Sequence, residues 1–182
     1  MHDSVMHWLR KNIALEDVRD KQVLEVGAMD LNGSPRYVIE PMGPLRYVGV
    51  DSGMGRGVDC VCPAEGLTEY MGRDWDLVVS TEMLEHAENW RAVVAELKNA
   101  TAIGGNLIVT TRGPGFPYHA HPGDFWRFTR ADFERIFDDM EILALDDDPM
   151  PGYPGVFLKA LRRRDRYRIN LAPIEVAPAP AP

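Results

Sequence analysis

Short runs of β-branched and aliphatic residues recur along this chain, at Gln22-Val23-Leu24-Glu25-Val26, Tyr47-Val48-Gly49-Val50, Trp75-Asp76-Leu77-Val78-Val79-Ser80 and Asn106-Leu107-Ile108-Val109-Thr110. Each is too short for a helix and too continuously apolar for a strand with one wet face. Such runs form strands buried on both sides, which requires helices above and below a parallel sheet. The segments between them supply the helices. Val5, Trp8, Leu9, Ile13 and Leu15 recur at near-helical spacing and predict an opening helix over residues 1–19, while Trp90, Val93, Val94, Leu97 and Ala100 predict another that stops near Gly104-Gly105. Ser34-Pro35 predicts a helix start, closed soon after by Pro41 and Gly43. Thr129 with Asp132 three residues later predicts a capping box for a helix around 130–137, and strands are expected at 141–145 and 156–160. The chain reads as one α/β domain over residues 1–161, followed by a basic segment and a Pro/Ala-rich tail over 162–182 expected to be flexible and extended.

Charge narrows the partners. The chain carries 28 acidic and 20 basic residues, and six of the basic ones follow Gly155, so the body is strongly acidic. Such a body is a poor match to a phosphate backbone, where Lys and Arg supply most of the affinity, so nucleic acid is a disfavoured partner. No apolar run reaches membrane-spanning length and the first residues lack a signal-peptide pattern, so a cytoplasmic protein with no membrane partner is expected. Cys60 and Cys62 are expected to be free thiols, because a C-x-C pair makes a poor disulfide and at most half a zinc site.

In an open parallel sheet, ligands bind beyond the carboxyl ends of the strands, where the strand order reverses. Gly27-Ala28-Met29-Asp30-Leu31-Asn32-Gly33 follows the first strand, and Asp51 ends the second, 24 residues beyond Gly27. A carboxylate there suits the two hydroxyls of a ribose. The loop has neither the Gly-Lys-Ser/Thr of a P-loop nor a G-x-G-x-x-G fingerprint, because Met29 stands at the second glycine position. Glu25 and Asp30 beside it would repel phosphate and attract a cation. The pattern calls for a ribonucleoside with positive charge and no phosphate.

Val23-Leu24-Glu25-Val26-Gly27-Ala28, Tyr47-Val48-Gly49-Val50-Asp51 and Trp75 through His86, ending Ser80-Thr81-Glu82-Met83-Leu84-Glu85-His86, together resemble the class I S-adenosylmethionine-dependent methyltransferases, and the third segment resembles the small type 11 domains. The resemblance covers about residues 20–160. It implies a Rossmann-like, mostly parallel seven-stranded sheet with helices on both faces, and S-adenosylmethionine as cofactor. Carried over by position, Glu25, Gly27, Ala28, Met29, Asp30 and Asn32 would surround the methionine part, Asp51 would hold the ribose, Ala64-Glu65 would lie along the adenine, and Ser80, Thr81 and Glu82 would close the floor. Two departures stand out. Pro63 occupies the position where the family often has an acid for the adenine amino group, and the loop 52–57 is too short for a crossover helix, so Val58–Val61 is expected to be a short edge strand or extended loop.

The long segment Arg112–Thr129 on the ligand side, rich in His, Pro, Gly and aromatic residues, is the natural acceptor site. Its H-P-x-D-x-W-R-F-T close resembles small methyltransferases associated with sugar or glycan modification, implying a small-molecule or glycan acceptor whose hydroxyl is methylated. His119 or His121 is the expected base, with His86 or Glu85 as the next choice; Arg112, Tyr118, Trp126, Arg127 and His86 are the expected acceptor contacts. His-x-His spacing permits a metal, but no complete ligand set is evident in the sequence, so none is expected. Three other functions stay open at this level. A non-catalytic module of this fold would show no cofactor affinity. A nicotinamide oxidoreductase is disfavoured by the missing glycine fingerprint. A nucleic-acid methyltransferase is disfavoured by the absence of an N/D-P-P-Y/F/W motif after the strand at 75–80.

Overall fold

The protein is represented by a computed structural model that describes residues 2–164 and 171–182. Asp165 and Arg166 of the basic run lie outside the described residues. In chain order the strands are β1 (Gln22–Val26), β2 (Arg46–Asp51), β3 (Cys60–Val61), β4 (Trp75–Thr81), β5 (Thr101–Arg112), β6 (Trp126–Arg127), β7 (Glu141–Asp147), β8 (Gly155–Leu161) and β9 (Ala177–Pro178). The helices are α1 (Asp3–Asn12), α2 (Arg36–Ile39), α3 (Leu67–Met71), α4 (Trp90–Ala100) and α5 (Arg130–Ile136).

Seven strands form one sheet in the order β3-β2-β1-β4-β5-β8-β7. Neighbours from β3 to β5 are parallel, and β8 runs antiparallel between β5 and β7. The order reverses between β1 and β4, which opens a crevice at their carboxyl ends. Side chains along each strand alternate between two apolar layers. Val23, Leu77, Val79 and Ile108 meet α1 and α2 through Val5, Trp8, Leu9, Val38 and Ile39. Leu24, Val26, Val78, Leu107 and Val109 meet α3, α4 and α5 through Leu67, Trp90, Val94, Leu97 and Phe133.

Several local expectations hold. Thr129 Oγ1 accepts from the Asp132 amide (3.1 Å) while Asp132 Oδ2 accepts from the Thr129 amide (2.8 Å), which is the expected capping box. Ser34 Oγ accepts from the Arg36 amide (3.0 Å), and the helix it starts, α2, ends at Ile39 and passes into a single turn at Glu40–Met42 that Gly43 closes with φ +76°. β3 is the expected edge strand, only two residues long.

Three differences matter. The first helix ends at Asn12 and is followed by a separate turn at Leu15–Asp17. Asp17 forces the break: its carboxylate accepts from the Ala14 amide (2.7 Å), Lys159 Nζ (2.6 Å) and Asn106 Nδ2 (3.0 Å), partners brought by distant strands. β5 runs on to Arg112, longer than its apolar core, because Thr111 and Arg112 pair with Val156 and Gly155 of β8.

The third difference is the tail, which is docked over residues 171–179 where a flexible segment was expected. Leu171, Ile174 and Val176 are buried in the main core, and Arg91 donates to the carbonyls of Leu171 (3.1 Å) and Ile174 (2.5 Å). β9 pairs with β6, and the Ala179 amide donates to the Phe125 carbonyl (2.8 Å). The three aliphatic side chains supply burial that the surrounding Ala and Pro residues lack, and they reach an apolar face only because the chain returns to α4.

Candidate active site

A cavity of about 840 Å³ opens beyond the carboxyl ends of β1, β2 and β4. One end is built by the loops after β1 and β2. Gly27 has φ +81°, and a Cβ on it would come within 2.6 Å of Met83 Cγ, so this glycine lets the chain turn out of β1 while Met83 packs against it. Asp51 Oδ2 accepts from the Met29 amide (3.1 Å) and Oδ1 from the Gly53 amide (3.3 Å), so one carboxylate ties the two loops together and still faces the cavity. Met29 and Asn32 line the cavity here, and Ala64 and Glu65 line it from the single turn after β3.

Glu25 projects from β1 into the base of this region, only 2% exposed. Tyr47 donates to it through its hydroxyl (2.7 Å), as does Ser34 Oγ (3.2 Å). Burial outweighs these hydrogen bonds and pushes its carboxyl up to about 7.

Thr81 and Glu82 form the floor. Glu82 has φ +55°, a left-handed conformation uncommon for a side chain of this kind, and it turns Met83 toward Gly27. Its carboxylate accepts from Thr110 Oγ1 (3.1 Å) and from Arg112.

The remaining expected cofactor neighbours sit behind the cavity wall. Ala28 and Ser80 are buried and do not line it. The Asp30 carboxylate is consumed locally, accepting from the Gly33 amide (2.8 Å) and the Tyr37 hydroxyl and pairing with Arg56 (2.8 Å), so it shapes the turn and does not face the cavity.

The other end of the cavity is lined by His86, His119 and His121. His86 Nδ1 lies 2.6 Å from the Gly123 carbonyl, which can only accept, so Nδ1 carries a hydrogen there. His119 Nδ1 lies 3.1 Å from Asp124 Oδ2, which orients that ring the same way. Both Nε2 atoms approach Glu85 Oε1, at 4.0 Å from His86 and 3.8 Å from His119. Glu85 is fully buried on the single turn after β4; its Oε2 accepts from Thr111 Oγ1 (2.7 Å), and its Oε1 has no hydrogen-bond partner.

Of the expected acceptor contacts, His86 faces the cavity and the others do not. Arg112 is fully buried between Glu82 and Asp148 (3.1 Å), because β5 continues through it. Arg127 is 1% exposed, forking onto both oxygens of Asp124 (2.6 Å each) and donating to the carbonyls of Phe116 (3.2 Å) and Pro117 (2.9 Å). Trp126 Nε1 donates to the Ala87 carbonyl (3.0 Å), and Tyr118 stays on the surface outside the cavity. These side chains hold the segment that presents His119 and His121.

Residues that sequence reasoning did not assign also line the cavity: His2, Cys62 and Met83. Burial pushes the Cys62 thiol up to about 11, so it is an inert wall group. Nothing in the spacing of His2 points to a site eighty residues away. The chain reaches it only because α1 packs under the sheet, where the His2 ring meets Tyr153 at 4.6 Å.

No protein-family model matches the chain, and no curated protein matches its sequence. Solved structures do. The Burkholderia thailandensis 1,6-didemethyltoxoflavin-N1-methyltransferase, with bound 1,6-didemethyltoxoflavin and S-adenosylhomocysteine, superposes with a TM-score of 0.67 at 16% identity over 87% of this chain and 78% of that one. An S-adenosylmethionine-dependent methyltransferase from Listeria monocytogenes, itself described as putative, gives 0.69 at 13% identity over 88% and 97%. The magnesium protoporphyrin IX methyltransferase of Synechocystis PCC 6803, with bound S-adenosylmethionine, gives 0.60 at 19% identity over 88% and 77%. The chain has the class I methyltransferase fold.

Proposed function

We propose that this protein is an S-adenosylmethionine-dependent methyltransferase that methylates a hydroxyl of a small molecule, a sugar or glycoside being the acceptor class. The observation that carries this reading is one cavity with two chemically distinct ends. At one end, buried Glu25 and strand-end Asp51 suit an ammonium and a ribose. At the other, three histidines face the same space. Support also comes from similar solved structures, two of which hold S-adenosylmethionine or its demethylated product.

In this reading the cofactor supplies an activated methyl group on a sulfonium. With the cofactor held at the Glu25 and Asp51 end, the acceptor oxygen would take the methyl group, and the C–S electron pair would stay with sulfur as a neutral thioether. The hydroxyl proton goes to a histidine of the far end, His119 or His121. The chain itself aligns the reactants: Asp51 holds the ribose, Glu25 the ammonium, and Met83 walls the path between them. The test is calorimetry with S-adenosylhomocysteine, followed by a turnover screen against glycosides. Binding followed by methylation of a hydroxyl is expected. Absence of binding sinks the assignment and favours a non-catalytic module.

A further inference from the structure

We infer that Glu85, His86 and His119 form a binding site for a divalent first-row transition ion, of the class Mn²⁺ to Zn²⁺, at the acceptor end of the cavity.

The three donor atoms, Glu85 Oε1, His86 Nε2 and His119 Nε2, lie within 4.8 Å of one another. Metal bonds of about 2.0–2.2 Å put neighbouring ligands roughly 3–3.5 Å apart, so side-chain shifts below an ångström close the set. Two histidines and one carboxylate on one side of an ion leave the remaining positions open; here His86 and His119 line the cavity and Glu85 lies buried behind them, so the open side faces the cavity.

A second observation points the same way. Glu85 Oε1 is buried with no hydrogen-bond partner, on a side chain with no exposed surface. A carboxylate oxygen left so is costly, and a cation between it and the two imidazoles removes the cost. The outer contacts complete the pattern. Each ligand is held by a group that frees the correct atom: Thr111 Oγ1 donates to Glu85 Oε2, the Gly123 carbonyl takes the His86 Nδ1 hydrogen, and Asp124 takes that of His119. Metal-ligating histidines are oriented in this way by carbonyl and carboxylate partners. The sequence drew attention to His119-x-His121, yet the close set skips His121 and recruits the adjacent pair Glu85-His86 from another loop.

Resting on the proposed methyl transfer, the ion would bind the acceptor hydroxyl oxygen and make it a stronger nucleophile at neutral pH, its proton passing to His121. His119 would then be a ligand and not the base.

The test begins with protein stripped by EDTA and titrated with Co²⁺, Mn²⁺ and Zn²⁺ by calorimetry, with the Co²⁺ absorption spectrum as a second readout. One ion per chain is expected. His86→Ala and His119→Ala should each weaken binding by at least about a hundredfold, Thr111→Val by about tenfold, and exposed His7→Ala not at all. Circular dichroism checks that each variant folds, and the two histidine variants keep the test decisive if Glu85→Gln does not. No binding of any of the three ions, or equal binding by wild type and both histidine variants, overturns the site. S-adenosylhomocysteine titrated in EDTA separates the two readings: its failure with ion binding intact sinks the methyl-transfer reading alone.

Discussion

Asp124 takes both Arg127 nitrogens at 2.6 Å and, with the same Oδ2, meets the His119 amide (2.8 Å) and ring Nδ1 (3.1 Å). One buried ion pair thus sets the position of a cavity histidine. Arg127 looked like an acceptor contact in the sequence because Trp-Arg-Phe-Thr is a conspicuous string; its fork is instead spent entirely inside the protein.

The pair gives an acid-stability prediction. Its partners hold the Asp124 carboxyl down at about 2 against burial, which acts the other way. A depressed carboxyl contributes stability that is present above the unfolded value near 3.9 and is lost as pH falls through the folded value. Asp124→Asn should cost about 3–5 kcal/mol at pH 7. In urea unfolding, the gap between wild type and variant should narrow from about pH 4 to pH 2.

Glu25 predicts pH-linked cofactor binding. Its raised carboxyl, at about 7, means that near neutrality part of the protein holds it protonated. Burial alone therefore makes stability decline as pH rises from its unfolded value near 4.3 to about 7. An ammonium needs the ionised form, so affinity for S-adenosylhomocysteine should rise between about pH 6 and 8 with proton release. Calorimetry in buffers of different ionisation enthalpy would read that proton, and Glu25→Gln should abolish both effects. A flat affinity profile in the wild type would place the ammonium elsewhere.

Asp51 should be the larger determinant of affinity. Asp51→Ala removes hydrogen bonds to a charged acceptor, each worth about 1.5–3 kcal/mol, and also frees the Met29 and Gly53 amides it now holds. Affinity measured by calorimetry should fall tenfold or more while the fold survives. Asp51→Asn should lose less, because an amide oxygen still accepts from the two loops.

Deleting residues 171–182 should destabilise the domain. It strips Leu171, Ile174 and Val176 from the core, where a fully buried aliphatic side chain is worth roughly 1.5–3 kcal/mol before the cost of ordering the segment. The thermal midpoint should drop by about 5–10 °C. A deletion that leaves it unchanged would mean that the docked tail contributes no net stability.

Much of this protein was legible in order along the chain. Helix and strand signals are local: the Thr129/Asp132 box, the Ser34-Pro35 start and the β-branched runs act within a few residues, and each appears where its chemistry demands. The same holds for Gly27, Asp51, Thr81 and Glu82, because the carboxyl end of a parallel strand faces the crevice whatever the loops do. What a residue does across the chain was decided only by tertiary structure. Asp17 breaks a helix for Lys159 and Asn106, Arg112 is drawn into the sheet by β8, and the Ala/Pro tail folds back because three aliphatic residues find α4 and its neighbours. Glu85 is the clearest case: sequence marks a carboxylate beside a histidine, but only the packing of Arg112–Thr129 over the cavity brings His119 to the same point. Local preferences arise from short-range sterics and hydrogen bonds that travel with the residue, whereas a convergent site depends on where distant segments are carried, which no local preference encodes.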